Sequence, residues 1–361
     1  MGKKVVVGMS GGVDSSVAAF LLKEQGYEVI GVTMQIWQEE DDQTVEENGG
    51  CCGLSAVEDA RRVAGTLGIP YYVMNFRREF KEHVIDYFVQ EYRNGRTPNP
   101  CIACNRFVKW EALLDRSLKI GADYIATGHY ARVEQLSNGR FAIRNSVTAA
   151  KDQTYALYNL TQEQLAHTLM PVGEYEKEEI RKIAAGLGLN VAGKPDSQEI
   201  CFIPDGDYAA FIAARGLADT PGHFLGPAGE DLGPHRGVSH YTVGQRKGLG
   251  IAYGQPVFVR RILPNGDIQL ATAGGEEYAG ITVAQPFSAS GTPFAAGQRF
   301  CCKVRSRAAA VPCTVVQAGG PLLTLRFDSP VRAPAPGQAA VFYDGDVVLG
   351  GGIIGDMLAQ V

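Results

Sequence analysis

Residues 8–15, Gly-Met-Ser-Gly-Gly-Val-Asp-Ser, combine small residues, hydroxyl groups and one acid. They follow a run of three valines and precede an apolar helical pattern that Gly26 ends. Glycines at a strand-to-helix turn let the backbone approach a ligand, and the first N–H groups of a helix attract anions. The stretch therefore predicts a phosphate-sized binding site.

This loop lacks the Gly-Lys-[Ser/Thr] sequence of a Walker loop, so it supplies no lysine to a terminal phosphate. Asp14 stands there instead, and an acid beside phosphates indicates a Mg²⁺ ion between them. The simpler alternative is a tight turn in which Asp14 only caps the helix. The preceding strand and the hydroxyl groups of Ser10, Ser15 and Ser16 favour the anion site.

Two further segments carry cysteines whose surroundings favour chemistry. Cys101 and Cys104 lie in a Pro-rich loop that leads into a helix with basic residues, and Cys201 lies in KPDSQEICFIP. Helix starts and nearby cations lower the pKa of a thiol and make it more reactive. A C-x-x-C pair is only half a zinc site, and no second C-x-x-C completes it. Taken singly, each cysteine is also typical of a small buried hydrophobe.

Composition limits the class of protein. The chain has 361 residues, enough for two or three domains, and its 45% hydrophobic and 20% charged residues are typical of globular proteins. No apolar run is long enough to span a membrane, and a cytoplasmic enzyme is expected. In that compartment eight cysteines indicate thiols, ligands or catalysts rather than structural disulfides. The net charge of −5 excludes a uniformly basic surface, although not local basic patches.

Strand and helix patterns alternate over the first half of the chain. Strands are predicted over 27–34, 69–76 and 123–127, with helices at about 79–93 and 105–119. This order is typical of an α/β fold with a doubly wound parallel sheet, where ligands bind beyond the carboxyl ends of the strands. The Gly-rich loop, Met34 and residues 127–129 are therefore expected to converge.

The second half differs in composition. We predict a catalytic domain over 1–203, a small Gly- and Pro-rich connecting domain over 204–278, and a C-terminal β-barrel over 279–361. Lys303, Arg305 and Arg307 alternate in a predicted strand, which would place them on one face of it. Such basic clusters are expected to contact RNA backbone.

An ordered set of motifs runs through the chain: GMSGGVDSS, GRTPNPCIACN, ATGHYAR, KDQTYAL, DSQEICFIP, VGQRKGLG and PGQAAVFY. In this order they resemble the bacterial-type tRNA-specific 2-thiouridylases, a family of the PP-loop ATP pyrophosphatase superfamily. The resemblance extends over essentially the whole chain. It implies a PP-loop fold and use of ATP with Mg²⁺.

The resemblance also implies a reaction. ATP would adenylate the 2-oxygen of the wobble uridine in the tRNAs for Lys, Glu and Gln, and a persulfide on Cys201 would deliver sulfur. Cys104 would act as the second catalytic thiol, forming a Cys104–Cys201 disulfide when the product leaves. The implied partners are tRNA and a sulfur donor, either a cysteine desulfurase or a sulfur-relay protein. No membrane partner is expected.

The family pattern assigns further site residues. The expected ATP-binding residues are Gly8, Met9, Ser10, Gly11, Gly12, Val13, Asp14, Ser15, Met34 and Gly128. The residues expected to meet tRNA are Asn99, Pro100, Cys101, His129, Lys151, Asp152, Gln153, Arg305, Ser306 and Gln338. Within this second set, residues 99–101 would face the target base.

Cys101 departs from the pattern, because many relatives carry Asp there. Cys101, Cys104 and Cys201 could together hold an iron–sulfur cluster, whose open iron would replace the persulfide route. The main hypothesis keeps Cys101 as a lining residue of the base pocket beside a two-cysteine persulfide mechanism.

The sequence leaves two alternative functions open. One is a PP-loop amidotransferase-type synthetase for Asn, GMP or NAD, although a glutaminase segment is not evident and the cysteines would be unexplained. The other is a non-catalytic nucleotide- or RNA-binding module. Retention of Asp14, Cys104 and Cys201 argues against that module.

Overall fold

The computed structural model describes residues 2–36, 54–195, 200–215, 219 and 221–359. The chain divides into two compact units. The first unit comprises Met1–Ile85, Cys101–Gly206 and Asp346–Val348. The second unit comprises Asp86–Pro100, Asp207–Gly345 and Leu349–Val361.

A parallel five-stranded sheet forms the centre of the first unit, in the order β3-β2-β1-β4-β7. The strands are β1 (Lys4–Gly8), β2 (Glu28–Gln35), β3 (Tyr71–Asn75), β4 (Tyr124–Ala126) and β7 (Thr168–Leu169). Strand order changes direction on either side of β1, as expected of a doubly wound sheet. The predicted fold class and its first four strands are confirmed.

The first helix shows why this segment folds as predicted. Helix α1, Val13–Glu24, buries Val17, Ala18, Leu21 and Leu22 against the sheet. Gly26 follows the helix with φ at 86°, a left-handed conformation that favours glycine and ends the helix.

The remaining helical segments of the first unit surround the sheet. Helix α2 is Leu54–Leu67, and π-helical turns interrupt two later helices. These later segments are Arg77–Phe80, Lys81–Ile85 (π), Cys104–Leu113 (π), Leu114–Lys119, Ala149–Lys151 (3₁₀), Thr154–Leu157 (3₁₀), Gln162–Ala166, Pro171–Glu174 (3₁₀) and Lys177–Gly186. Among the residues that the structure describes, no helix has the length and apolar character needed to cross a bilayer.

A hairpin of β5 (Ala131–Gln135) and β6 (Phe141–Asn145) completes the first unit. Asp346 accepts hydrogen bonds from Arg132 at 3.0 Å and Arg144 at 2.9 Å, and Val347 pairs with Arg144. The short segment Asp346–Val348 is fixed to this hairpin by both charge and backbone pairing.

The second unit contains a four-stranded sheet in the order β10-β11-β8-β9. Its strands are β8 (His223–Leu225), β9 (Asp231–Pro234), β10 (Val257–Ile262) and β11 (Ile268–Thr272). Helices Asp86–Arg93 and Tyr208–Ala213 also belong to this unit, together with the short 3₁₀ segment Val238–His240. Of the short helical segment Pro100–Ala103, only Pro100 belongs to this unit, and the other three residues belong to the first. Phe224, Val259, Ile268 and Leu270 form the centre of its apolar core.

A closed six-stranded barrel follows, in which β12 pairs with β15 on one side and β17 on the other. The strands are β12 (Glu277–Ser288), β13 (Arg299–Lys303), β14 (Val311–Gln317), β15 (Leu322–Arg332), β16 (Ala339–Asp344) and β17 (Val347–Leu358). The predicted C-terminal barrel is confirmed.

One prediction about the barrel is wrong. Strand β13 ends at Lys303, and the chain turns through residues 304–308. Arg305 and Arg307 therefore lie in a turn, not on one face of a strand with Lys303. The alternation of basic residues resembled a strand pattern, but the turn replaces it directly after Lys303.

Candidate active site

The Gly-rich loop joins β1 to α1 with a backbone that only glycine adopts readily. Gly11 has φ at 67°, and a Cβ atom there would lie 2.4 Å from the carbonyl oxygen of Ala56. The loop thus packs directly against the start of α2. Replacement of Gly11 by any other residue would displace the loop from α2.

The start of α1 is open to an anion. Gly12 occupies the position before the helix and makes no side-chain capping hydrogen bond. Ser15 Oγ accepts the Ser10 N–H at 3.1 Å, and Ser16 Oγ donates to Gly12 O at 2.8 Å, so the hydroxyl groups shape the loop. The uncapped N–H groups and the positive end of the helix dipole favour a phosphate.

Two further segments meet this loop, as predicted. A Cβ atom on Gly128 would lie 2.5 Å from Ser15 N, so the turn after β4 touches the start of α1. At the end of β2, Thr33 Oγ1 donates to Met9 O at 2.8 Å, which places the adjacent Met34 beside the loop. The carboxyl ends of β1, β2 and β4 therefore converge.

Asp14 is held by two residues that the sequence did not identify. Lys177 Nζ lies 2.7 and 2.9 Å from the two carboxylate oxygens of Asp14, and Tyr130 OH donates to Oδ1 at 2.7 Å. Lys177 is buried and Asp14 is partly exposed. Tyr130 belongs to the ATGHYAR motif, but no local signal marks Lys177, because its partner is 163 positions away.

A second lysine from a distant part of the chain also contacts the loop. Lys194 Nζ donates to Gly11 O at 3.2 Å and to Asp59 Oδ2 at 3.0 Å. Asn190 Nδ2 donates to the other oxygen of Asp59 at 2.6 Å. The chain that leads towards Cys201 is thereby anchored to the loop and to α2.

His129 lies in a crowded environment behind Gly128. Its Nδ1 is 2.7 Å from Thr127 Oγ1, and its ring packs against Trp110 at 5.6 Å. Burial lowers the pKa of the His129 imidazole well below its ordinary value, and the charge of Lys109 lowers it further. The imidazole therefore takes up a proton less readily than an exposed histidine, and the residue is partly exposed.

The segments of Cys104 and Cys201 pack against one helix, although 97 positions separate the two cysteines. Phe202, beside Cys201, packs edge-on against Phe80 at 5.6 Å, and Phe107, three residues after Cys104, stacks on His83 at 4.7 Å. Phe80 and His83 lie three positions apart along that helix; Phe80 is buried and His83 is exposed. The fold therefore brings both cysteine segments into contact with the same helix.

The cysteines of the first unit differ in exposure. Cys101 is exposed, and Cys104 and Cys201 are partly buried; all three are thiols. Over the described ranges, no group of three His, Cys, Asp or Glu side chains is arranged to hold a metal ion. An iron–sulfur cluster on these three thiols stays a hypothesis. Cys51 and Cys52 lie outside the described residues.

The predicted tRNA residues of the first unit make internal contacts. Asp152 accepts from Ser146 N at 2.9 Å, and Gln153 Oε1 accepts the Tyr130 N–H at 2.8 Å. Lys151 ends a short 3₁₀ turn and is partly exposed. Gln153 thus supports the residue that holds Asp14; a contact of these residues with tRNA stays a prediction.

The second unit holds the other predicted tRNA residues. Arg305 Nη2 donates to Val243 O at 2.7 Å and Ala333 O at 3.0 Å, and Ser306 is exposed. The Gln338 N–H donates to Ala335 O at 3.1 Å. Asn99 is partly buried and Pro100, which begins a short helical segment, is buried.

Comparison with known proteins agrees with this architecture. A family model for the tRNA methyl transferase HUP domain matches residues 3–205, one for the tRNA methyl transferase PRC-barrel domain matches 210–268, and one for the aminomethyltransferase beta-barrel domain matches 279–354.

Full-length relatives share the same name. The tRNA-specific 2-thiouridylase MnmA of Lachnoclostridium phytofermentans is 62% identical, over 98% of this chain and 99% of the relative. The proteins of that name from Acetivibrio thermocellus and Clostridioides difficile are 54% and 52% identical, with 98% of this chain covered in both and 99% and 98% of the relatives. The chain belongs to the tRNA-specific 2-thiouridylase family.

Proposed function

We propose that the protein catalyses ATP-dependent 2-thiolation of the wobble uridine in the tRNAs for Lys, Glu and Gln. The observation that carries the proposal is the convergence of the Gly-rich loop, the open start of α1 and Gly128 at the ends of β1 and β4. Full-length similarity to proteins named tRNA-specific 2-thiouridylase supports the same substrate class.

In the proposed first step, the 2-oxygen of the uridine attacks the α-phosphorus of ATP and pyrophosphate leaves. Residues 8–15, Met34 and Gly128 bind the nucleotide, with N–H groups at the start of α1 directed at its phosphates. Adenylation is needed because an amide-like oxygen is a poor leaving group, whereas adenylate is a good one.

In the second step, the terminal sulfur of a Cys201 persulfide attacks carbon 2, and AMP leaves. The Cys104 thiolate then attacks Cys201 Sγ, which breaks the S–S bond and releases 2-thiouridine with a Cys104–Cys201 disulfide. Packing of both cysteine segments against one helix supports this pairing of roles. A thiol reductant then reduces the Cys104–Cys201 disulfide, and a cysteine desulfurase or a sulfur-relay protein reloads the persulfide on Cys201.

The described residues do not form a protein-held Mg²⁺ site. Asp14 is already engaged by Lys177 and Tyr130, and no cluster of three acidic, His or Cys ligands occurs within the described part of the chain. Mg²⁺ is expected to arrive with the phosphates of ATP.

We further assign the parts of the chain to separate tasks. Residues 1–203 bind ATP and transfer sulfur, and residues 279–361 hold tRNA. Residues 204–278 connect these two parts of the chain. Asn99, Pro100 and Cys101 line the pocket for the target base, and His129, residues 151–153, Arg305, Ser306 and Gln338 contact tRNA. The turn of Ser306 and Arg307, which is exposed, supports a surface contact for the barrel.

The experiment that tests the function is AMP formation from α-phosphate-labelled ATP, with and without unmodified tRNA. Formation should depend on tRNA and should fall by at least about 10²-fold in Asp14→Asn, because the start of α1 loses its fixed charge arrangement. Asp115→Asn, which alters an exposed acid paired with Lys119, is the matched control and should leave the rate unchanged. Equal AMP formation without tRNA, or in Asp14→Asn, would contradict the proposal.

A further inference from the structure

An acid within an anion-binding loop raises an electrostatic problem. The carboxylate of Asp14 lies in the first turn of α1, where the N–H groups attract phosphate, so an uncompensated negative charge would repel the ligand. The neighbouring contacts of Asp14 show how this charge is compensated.

Lys177 occupies a position that is unfavourable for a lysine on its own. Its side chain is only 8% exposed, and it stands in the first turn of helix Lys177–Gly186, where the helix dipole disfavours a cation. Burial of an ammonium group is costly unless it is paired. Contacts of 2.7 and 2.9 Å with the two oxygens of Asp14 provide that pairing.

Attachment of this helix does not depend on the ion pair. Ile180 and Ala184 are fully buried in the same apolar cluster as Val17 and Leu21 of α1. A capping box between Glu176 and Glu179 fixes the helix start. The contact between Lys177 and Asp14 therefore adds a charge arrangement to a packing that apolar side chains already hold.

Resting on the ATP site proposed above, we propose that Lys177 is a positioning residue for that site. Lys177 cancels the charge of Asp14 and, with Tyr130, holds its carboxylate in one orientation, so that the loop accepts the phosphates of ATP. The lysine absent from the Gly-rich loop is thus supplied from elsewhere in the fold, as a partner of the loop acid. Tyr130 completes the arrangement through its 2.7 Å bond to Oδ1.

The test measures the affinity for ATP by calorimetry, without tRNA, in variants that remove or keep the charges of Lys177 and Asp14. Lys177→Met should weaken ATP binding at least tenfold, since Asp14 is left uncompensated. Lys177→Met combined with Asp14→Asn should restore affinity to within about threefold of the wild type, because both charges are gone. Lys177→Arg, which keeps the charge, should bind ATP almost normally. Affinity for tRNA should be equal in all these variants.

The possible results distinguish a wrong positioning role for Lys177 from a wrong proposed function. If wild-type protein fails to bind ATP, the proposed function itself is wrong. If it binds ATP but Lys177→Met binds equally well, or the double variant is no better than Lys177→Met, the positioning role is wrong. If Lys177→Met alone does not fold, the double variant decides, because tenfold weaker ATP binding there would also overturn the inference.

Discussion

Cys302 and Cys313 of the barrel lie in an environment opposite to that of the described cysteines of the first unit. Cys101 is exposed and Cys104 and Cys201 are partly buried, as is Cys301 of the barrel, whereas Cys302 and Cys313 are inside the barrel at 1% and 0% exposure. Burial raises the pKa of the Cys302 thiol well above its ordinary value, and the adjacent Cys313 raises it further. Solvent accessibility and a pKa low enough to form the thiolate decide which cysteines can transfer sulfur.

Basic residues show the same contrast within the barrel. Arg305 uses its guanidinium on two backbone carbonyls, and Lys303 lies over the ring of Tyr343 at 5.2 Å. Arg307, two positions further on, is exposed. Arg305, a proposed tRNA contact, is therefore also held by the fold, whereas Arg307 is exposed to solvent.

The largest expected effect concerns the cysteines. Cys104→Ser and Cys201→Ser should each reduce 2-thiouridine formation by at least about 10³-fold, because each removes a thiol that the proposed transfer cycle requires. The measurement is mass spectrometry of nucleosides from tRNA incubated with each variant, ATP and a sulfur donor.

Cys302→Ala is the matched control from the barrel. It should keep thiolation within about twofold of the wild type and lose about 1 kcal/mol of unfolding free energy, as a buried small hydrophobe does. Loss of thiolation in this variant, with folding intact, would break the distinction between the two groups of cysteines.

A moderate effect is expected for the turn after β13. Arg305→Ala should lower the free energy of unfolding by about 1–3 kcal/mol, because Val243 O and Ala333 O lose their donor. Arg307→Ala should leave stability unchanged and weaken tRNA binding at low salt, with a smaller salt dependence. Urea unfolding and tRNA titrations at two salt concentrations measure both effects. A stable Arg305→Ala would show that these hydrogen bonds do not hold the turn.

The smallest expected effect comes from His129. Because its pKa in the folded chain is lowered, the unfolded chain takes up a proton below about pH 6.5 that the folded chain does not. The free energy of unfolding should therefore fall as the pH decreases from about 7 to 5.5, and less so in His129→Gln. Parallel pH profiles of the two proteins would show that His129 is not responsible.

Local patterns were sufficient to predict the parallel sheet, α1 and the Gly-rich loop, because burial repeats at short intervals along each element. Lys177 and Tyr130 could not be found in this way, since they contact Asp14 from 163 and 116 positions away. The alternation of Lys303, Arg305 and Arg307 led to a wrong prediction of one continuous strand, because charge spacing alone does not specify where a strand ends.

In the proposed reaction, Cys201 carries the sulfur that ATP-activated tRNA receives. Peptide mass spectrometry of protein loaded by a cysteine desulfurase, before and after addition of ATP and tRNA, tests it most directly. We expect a persulfide on Cys201, absent from Cys302, that disappears only when ATP and tRNA are both present, with 2-thiouridine formed in equal amount. A persulfide confined to Cys104, or thiolation that proceeds while the Cys201 persulfide persists, would contradict it.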